Sequence, residues 1–227
     1  MRRLLLILSF LIFSAPFMDA QDAYFCTTEG RELTYIRKYV SDGRVKWTHT
    51  LTVGTVSGTS GGGRHIEYTS EFRKAGGGGM YGGPIALYAD VDPSGNVDMD
   101  ISASLSAVFR NMFPKVNVHS EGASTVLPND MKAGDILPDA SCTVHVGALK
   151  YVTSVTDRHV LRTETITTDA GTFDCIVVSE HKVEKGPGRN RVTTAHTWYC
   201  RNLGMVRHDT YDKNSILETS EILEKIR

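Results

Sequence analysis

Gly58-Thr59-Ser60-Gly61-Gly62 has the G-x-S-x-G spacing that, at a strand-to-helix turn, presents a serine hydroxyl beside backbone donors. The residues that follow, Arg64-His65-Ile66-Glu67-Tyr68, read as a strand, so the segment is expected to be a glycine loop. Gly77-Gly78-Gly79-Met80-Tyr81-Gly82 has phosphate-loop spacing but leads into Gly83-Pro84 and a strand. A phosphate cradle needs a helix start at that point. Asp90, Asp92, Ser94 and Asp98 fall at positions one, three, five and nine of a calcium loop, with Gly95 at six. Ile101 occupies position twelve, where a bidentate glutamate belongs, so a hairpin turn competes with the calcium reading. The eight histidines are dispersed without HxH or HExxH spacing, and no cofactor is expected. A hydrolase would have to use Ser60, or Ser179 with His196 opposite it. Neither comes with an orienting carboxylate or an oxyanion hole in view.

The four cysteines are better suited to bonds than to catalysis. A hairpin turning about Pro187-Gly188 places Cys175 directly across from Cys200, within disulfide reach. The alternative is a pair of buried free thiols, because a slip of one residue turns the two side chains to opposite faces. By elimination Cys26 is matched with Cys142. Lys182, Lys185, Arg189 and Arg191 cluster at the same hairpin tip, as a solvated turn or as a contact for anionic groups.

The elements that must carry these residues are strands. Val, Ile, Thr and Tyr alternate over Arg31–Val40, Val45–Gly54, Ile66–Arg73, Ile85–Val91, Val97–Ser104 and Cys142–Val155. The pattern resumes over His159–Thr168, Thr172–Val183, Arg191–Cys200, Met205–Tyr211 and Ile216–Leu223. Short turns such as Ser41-Asp42-Gly43 and Asp169-Ala170-Gly171 make consecutive strands antiparallel neighbours. Ser106–Phe113 and Asn129–Ala133 read as one or two short helices, and Pro114 to Ala140 as an irregular crossover within a single domain spanning 21–227. The expected fold is all-β, an antiparallel meander forming a curved sheet or partly open β-barrel.

Arg2 and Arg3 precede an apolar run, Leu4–Phe13, with the length of a signal-peptide core, and cleavage is expected after Ala20. The expected location is therefore periplasmic or secreted. Bulky Tyr24-Phe25 before Cys26 argues against a lipid-modified cysteine. Lys plus Arg (25) balances Asp plus Glu (26), which leaves no electrostatic footprint for nucleic acid. Strands polar on both faces, such as Arg191–Cys200, argue against a membrane-spanning barrel.

Several segments together resemble the TapB-like exported proteins of Bacteroidetes, a domain family of unknown function. They are Arg31-Glu32-Leu33-Thr34-Tyr35, Val97-Asp98-Met99-Asp100, Ala133–Ala140, Ala170-Gly171-Thr172-Phe173-Asp174-Cys175, Trp198-Tyr199 and Gly204-Met205-Val206-Arg207 through Lys213. The resemblance implies a barrel-like fold outside the cytoplasm and transfers no active site. A curved sheet offers a concave face, with Trp47, Phe173, Trp198 and Tyr199 as candidate lining for a small apolar or amphiphilic ligand. An envelope protein docking on an exposed sheet edge is the alternative partner.

Overall fold

The computed structural model describes residues 22–59, 62–122 and 124–227. The expected leader, 1–20, and Ser60 lie outside them. The chain runs through β1 (Glu32–Tyr39), β2 (Val45–Gly58), β3 (Arg64–Lys74), β4 (Ile85–Val91), β5 (Val97–Asp100) and α1 (Ile101–Met112). It continues through β6 (Val118–Gly122), β7 (Ser124–Leu127), β8 (Ile136–Leu137), β9 (Ala140–Val146) and β10 (Leu149–Thr168). β11 (Gly171–Gly186), β12 (Arg189–Cys200), β13 (Gly204–Tyr211) and β14 (Leu217–Ile226) complete it.

Every strand pairing is antiparallel, in one 14-stranded sheet ordered β6-β9-β10-β11-β12-β13-β14-β1-β2-β3-β4-β5-β7, with β8 beside β10. The two outermost strands, β6 and β7, are consecutive in the chain, so a single bent segment joins the two ends of the sheet into a nearly closed barrel. Gly122, at the end of β6, lies against β9, where a Cβ would lie 2.5 Å from the Cβ of Cys142 and 2.6 Å from the Ser141 carbonyl oxygen. Only a glycine lets the two backbones approach so closely.

Alternation sets the interior. Leu33, Tyr35, Val53, Ile66, Ala89, Val178 and Leu223 form an apolar core toward one end of the barrel. The segment Ala23–Cys26 closes that end, with Phe25 5.2 Å from the ring of Tyr68 and the Asn202 amide donating to the Ala23 carbonyl. At the other end α1 packs against Val118, Val144 and Val146 through Leu105 and Phe109.

Three sequence expectations change. The strand Val97–Ser104 stops at Asp100, whose carboxylate caps α1 by accepting from the Ala103 amide (2.9 Å) and the Ser102 hydroxyl (2.7 Å). Cys142–Val155 is a hairpin turning at Gly147 rather than one strand. Asn129–Ala133 is not helical, and the crossover contains β6, β7 and β8.

Candidate functional site

The period-two pattern delivers a layer of polar side chains to the middle of the barrel, from strands far apart in sequence. β1 supplies Arg37, β2 Trp47 and His49, β3 Ser70 and Phe72, β13 His208 and β14 Thr219 and Glu221. Glu221 accepts from Arg37 Nη1 at 3.1 Å and faces His49 Nδ1 at 3.0 Å; the Arg37 and Glu221 side chains are 11% and 5% exposed. Arg37 also donates from Nε to the Thr219 hydroxyl (2.9 Å) and from Nη2 to the Thr210 hydroxyl. Burial pushes the Glu221 carboxyl up, but the hydrogen bond from His49 and the charge of Arg37 help hold it below the usual carboxylate range. Burial and the neighbouring Arg37 lower His208 to about 4, so at neutral pH the imidazole is uncharged beside the Thr197 hydroxyl (2.8 Å).

His49 Nε2 lies 3.2 Å from the Ser70 hydroxyl, so Ser70, His49 and Glu221 form a serine–imidazole–carboxylate relay. Sequence spacing gives no hint of it. The relay lacks what acyl transfer requires. Ser70 is buried and does not line the cavity described below. Its strand is flanked on both sides by paired neighbours, at Leu51 and Ile85, so its peptide groups are committed to the sheet rather than free to form an oxyanion hole.

Above this layer, between barrel and helix, is a cavity of about 700 Å³. Its apolar wall comes from Trp47, Phe72, Tyr81, Leu105, Phe109 and Tyr151, and its floor from Arg37, His49, His208 and Glu221. Phe72 stacks on His49 (4.2 Å) and meets Trp47 (6.2 Å) and Tyr81 (5.4 Å) edge-on. The loop carrying Tyr81 is fastened to the end of α1: Gly82 packs where a Cβ would lie 2.5 Å from the Asn111 carbonyl oxygen, and Asn111 Nδ2 donates to the Pro84 carbonyl (2.9 Å). The Trp47 indole N–H is buried and has no hydrogen-bond partner among the described residues.

Of the four aromatics expected to line a ligand site, Trp47 alone borders this cavity. Phe173 sits at the opposite end of the barrel, in an open groove beside Cys175, Cys200 and Tyr24. Trp198 lies on the other face of β12 from Thr197, covered by the guanidinium groups of Arg207 (4.7 Å) and Arg162 (5.9 Å), with its N–H donating to Glu164 (3.1 Å). Tyr199 is in the interior, where burial drives its phenol up and Glu180 adds to the shift. Ser179 and His196 are directly opposed, as the turn predicts, but no hydrogen bond joins them; His196 packs on Tyr211 at 4.8 Å.

The calcium candidates lie on and around the β4–β5 hairpin. Asp92 accepts from the amides of Ser94 (2.8 Å) and Asn96 (2.9 Å) and from the Asn96 side chain (2.7 Å), which spends its oxygens on the hairpin. Asp90 faces His65 at 2.7 Å, and no cluster of three metal-ligating side chains occurs among the described residues. Asp98 is the β-partner of Asp90, and Ser94 contributes its carbonyl to Asn129.

Neither of the two expected disulfides is formed in this structure. Cys175 and Cys200 are opposed at the expected register, yet all four cysteines are free thiols. Cys175 Sγ turns toward the Phe173 carbonyl (3.7 Å) and Cys200 Sγ toward that of Arg201 (3.6 Å). The hydrogen bond between the two thiols pushes Cys175 up and Cys200 down. Cys26 belongs to the apolar core, whereas Cys142 is on β9 between Gly122 and Thr153.

A family model described as DUF3108-like matches residues 28–223, from just before β1 to within β14. The chain belongs to the DUF3108-like family. Two crystal structures share this barrel at a TM-score of 0.73 and 23% identity, each covering 91% of this chain and 99% of the other. One is of a protein described as exported, with a YmcC-like fold, from Bacteroides fragilis NCTC 9343. The other is of a protein described as a lipoprotein, from Parabacteroides distasonis ATCC 8503. At that identity the likeness shows the fold alone. No curated protein matches the chain. The DUF3108-like family is one of unknown function, so the cavity has to be read from its own residues.

Proposed function

We propose that this DUF3108-like protein is an exported binding module that holds a small amphiphilic ligand in the cavity between α1 and the barrel. The carrying observation is the lining itself. A space of about 700 Å³ lies within the range of small-molecule sites, roughly 300–1,000 Å³. It joins an aromatic and aliphatic wall to a charged floor. A ligand apolar along one side and polar at the other would satisfy both. The narrower kinship with TapB-like exported proteins rests on the segments cited from the sequence, and the two similar structures, described as exported and as a lipoprotein, support a place outside the cytoplasm. Cys26, 1% exposed within the core, supports a protein without a lipid on that cysteine. Docking through a sheet edge is less favoured, because the outermost strands β6 and β7 have only five and four residues.

The test is displacement of an environment-sensitive naphthylamine probe. The wild-type protein is expected to bind the probe and release it to single-chain amphiphiles. Val108→Trp, which fills the space under α1, is expected to weaken probe binding at least about tenfold while leaving the fold intact by circular dichroism. Undiminished binding by a folded Val108→Trp protein would place the site elsewhere.

A further inference from the structure

The mouth of the cavity carries charge out of proportion to the chain. The whole sequence has a formal net charge of −1. Around the mouth, by contrast, Lys182, Lys185 and Arg189 stand against Glu184, and a neighbouring groove adds Lys46 and Arg191 against Glu218. The sheet register accounts for this concentration. The β11–β12 hairpin tip, with Lys185 opposite Asn190 and Glu184 opposite Arg191, meets the β1–β2 end that carries Lys46 and the β13–β14 end that carries Glu218.

The carboxylates are already engaged. Glu221 holds Arg37 and His49. Glu184 is shared by Arg189 (2.6 Å) and Lys182 (3.6 Å), and Glu218 pairs with Arg191. Lys46 and Lys185 have no carboxylate partner among the described residues. The Lys46 ammonium instead lies 4.7 Å from the centre of the Trp47 ring, whose other close cation is Arg37 at 4.9 Å. Burial and then the charges of Arg37 and Arg191 lower the Lys46 ammonium, against a smaller opposing pull from Glu218.

We infer that the mouth takes the anionic head group, a carboxylate or a phosphate monoester, of a single-chain amphiphile whose tail lies beneath α1. The inference rests on the binding function proposed above and adds the chemistry of the head. An anionic head would sit between Lys182, Lys185 and Arg189, with Lys46 in the neighbouring groove, while the tail meets Leu105, Phe109 and Tyr151. A neutral head would leave the cations crowded, and a cationic one would be repelled.

Calorimetric titration of the full exported chain with laurate, dodecyl phosphate, monolaurin, dodecyltrimethylammonium and inorganic phosphate tests this. The two anionic amphiphiles are expected to bind at least about tenfold more tightly than monolaurin. Dodecyltrimethylammonium is expected to bind most weakly of the amphiphiles, and inorganic phosphate at least about a hundredfold more weakly than dodecyl phosphate. Rising salt should erase the preference. Lys185→Glu, at an exposed position, should reduce it several-fold with little change for monolaurin. Equal binding of laurate and monolaurin would overturn the head-group assignment and leave the cavity reading standing. Phosphate binding as tightly as dodecyl phosphate would show a site for free anions, and would overturn the assignment. No binding of any amphiphile would overturn both.

Discussion

Replacing Glu221 by Gln keeps the side chain's size and its hydrogen bond to His49 but removes the charge that faces Arg37. The two side chains, 11% and 5% exposed, are too buried for water to take over. Stripping one partner from a buried ion pair costs about 3–5 kcal/mol, because a charge is left uncompensated. Arg37 keeps the Thr219 and Thr210 hydroxyls as acceptors, which places the expected loss at the lower end, about 3 kcal/mol. In a domain of this size that is a fall in Tm of about 6–12 °C, at about 2–4 °C per kcal/mol. Arg37→Met with Glu221→Gln removes the stranded cation, so the double variant should be more stable than the single Glu221→Gln. The coupling in the double-mutant cycle should be about 2 kcal/mol or more. Urea unfolding followed by far-ultraviolet circular dichroism at pH 7.5 gives all four corners of the cycle. A Glu221→Gln loss below about 1 kcal/mol, or a double variant no more stable than the sum of the singles predicts, would refute the view that a desolvated ion pair organises the cavity floor.

Two further outcomes follow from the same interior. His208 titrates near 4 in the fold against 6.5 when free, so between those values the unfolded chain binds more protons. Stability from this group is present in full above about pH 6.5 and is lost as pH falls toward 4, about 3 kcal/mol in all at about 1.36 kcal/mol per unit. His208→Asn should flatten the urea-midpoint profile between pH 6.5 and 4.5, and wild-type and variant profiles that stay parallel there would contradict the account. Gly122→Ala sets a methyl group against Cys142 and Ser141, where the approach is 2.5–2.6 Å, and should cost about 1–3 kcal/mol by overpacking. An unchanged unfolding midpoint would mean that β6 and β9 can part at little cost.

The sequence by itself determined what is local. Alternation of Val, Ile, Thr and Tyr marked most of the strands, and the Pro187-Gly188 turn fixed the β11–β12 register, placing Cys175 opposite Cys200 and Ser179 opposite His196. A tight turn leaves the chain one way to pair, so register is readable from it. The start of α1 was also present in the sequence, as Asp100 before the spacing Ile101, Leu105, Val108, Phe109 and Met112, but it was hidden because the alternation of β5 runs straight into it. Whether two facing cysteines join their sulfurs, or keep thiols that also turn toward the Phe173 and Arg201 carbonyls, is decided by rotamers that no spacing encodes. What only the tertiary structure decided is which faces enclose a space. Period two says that Trp47 and Trp198 each take a side of their strands, but not that one side borders an open cavity and the other is sealed beneath two arginines. Arg37, His49, Ser70, His208 and Glu221 come together only when the bent β6–β7 segment joins the ends of the sheet and α1 covers the opening. Closure is a property of the sum of all pairings, and no single stretch of chain carries it.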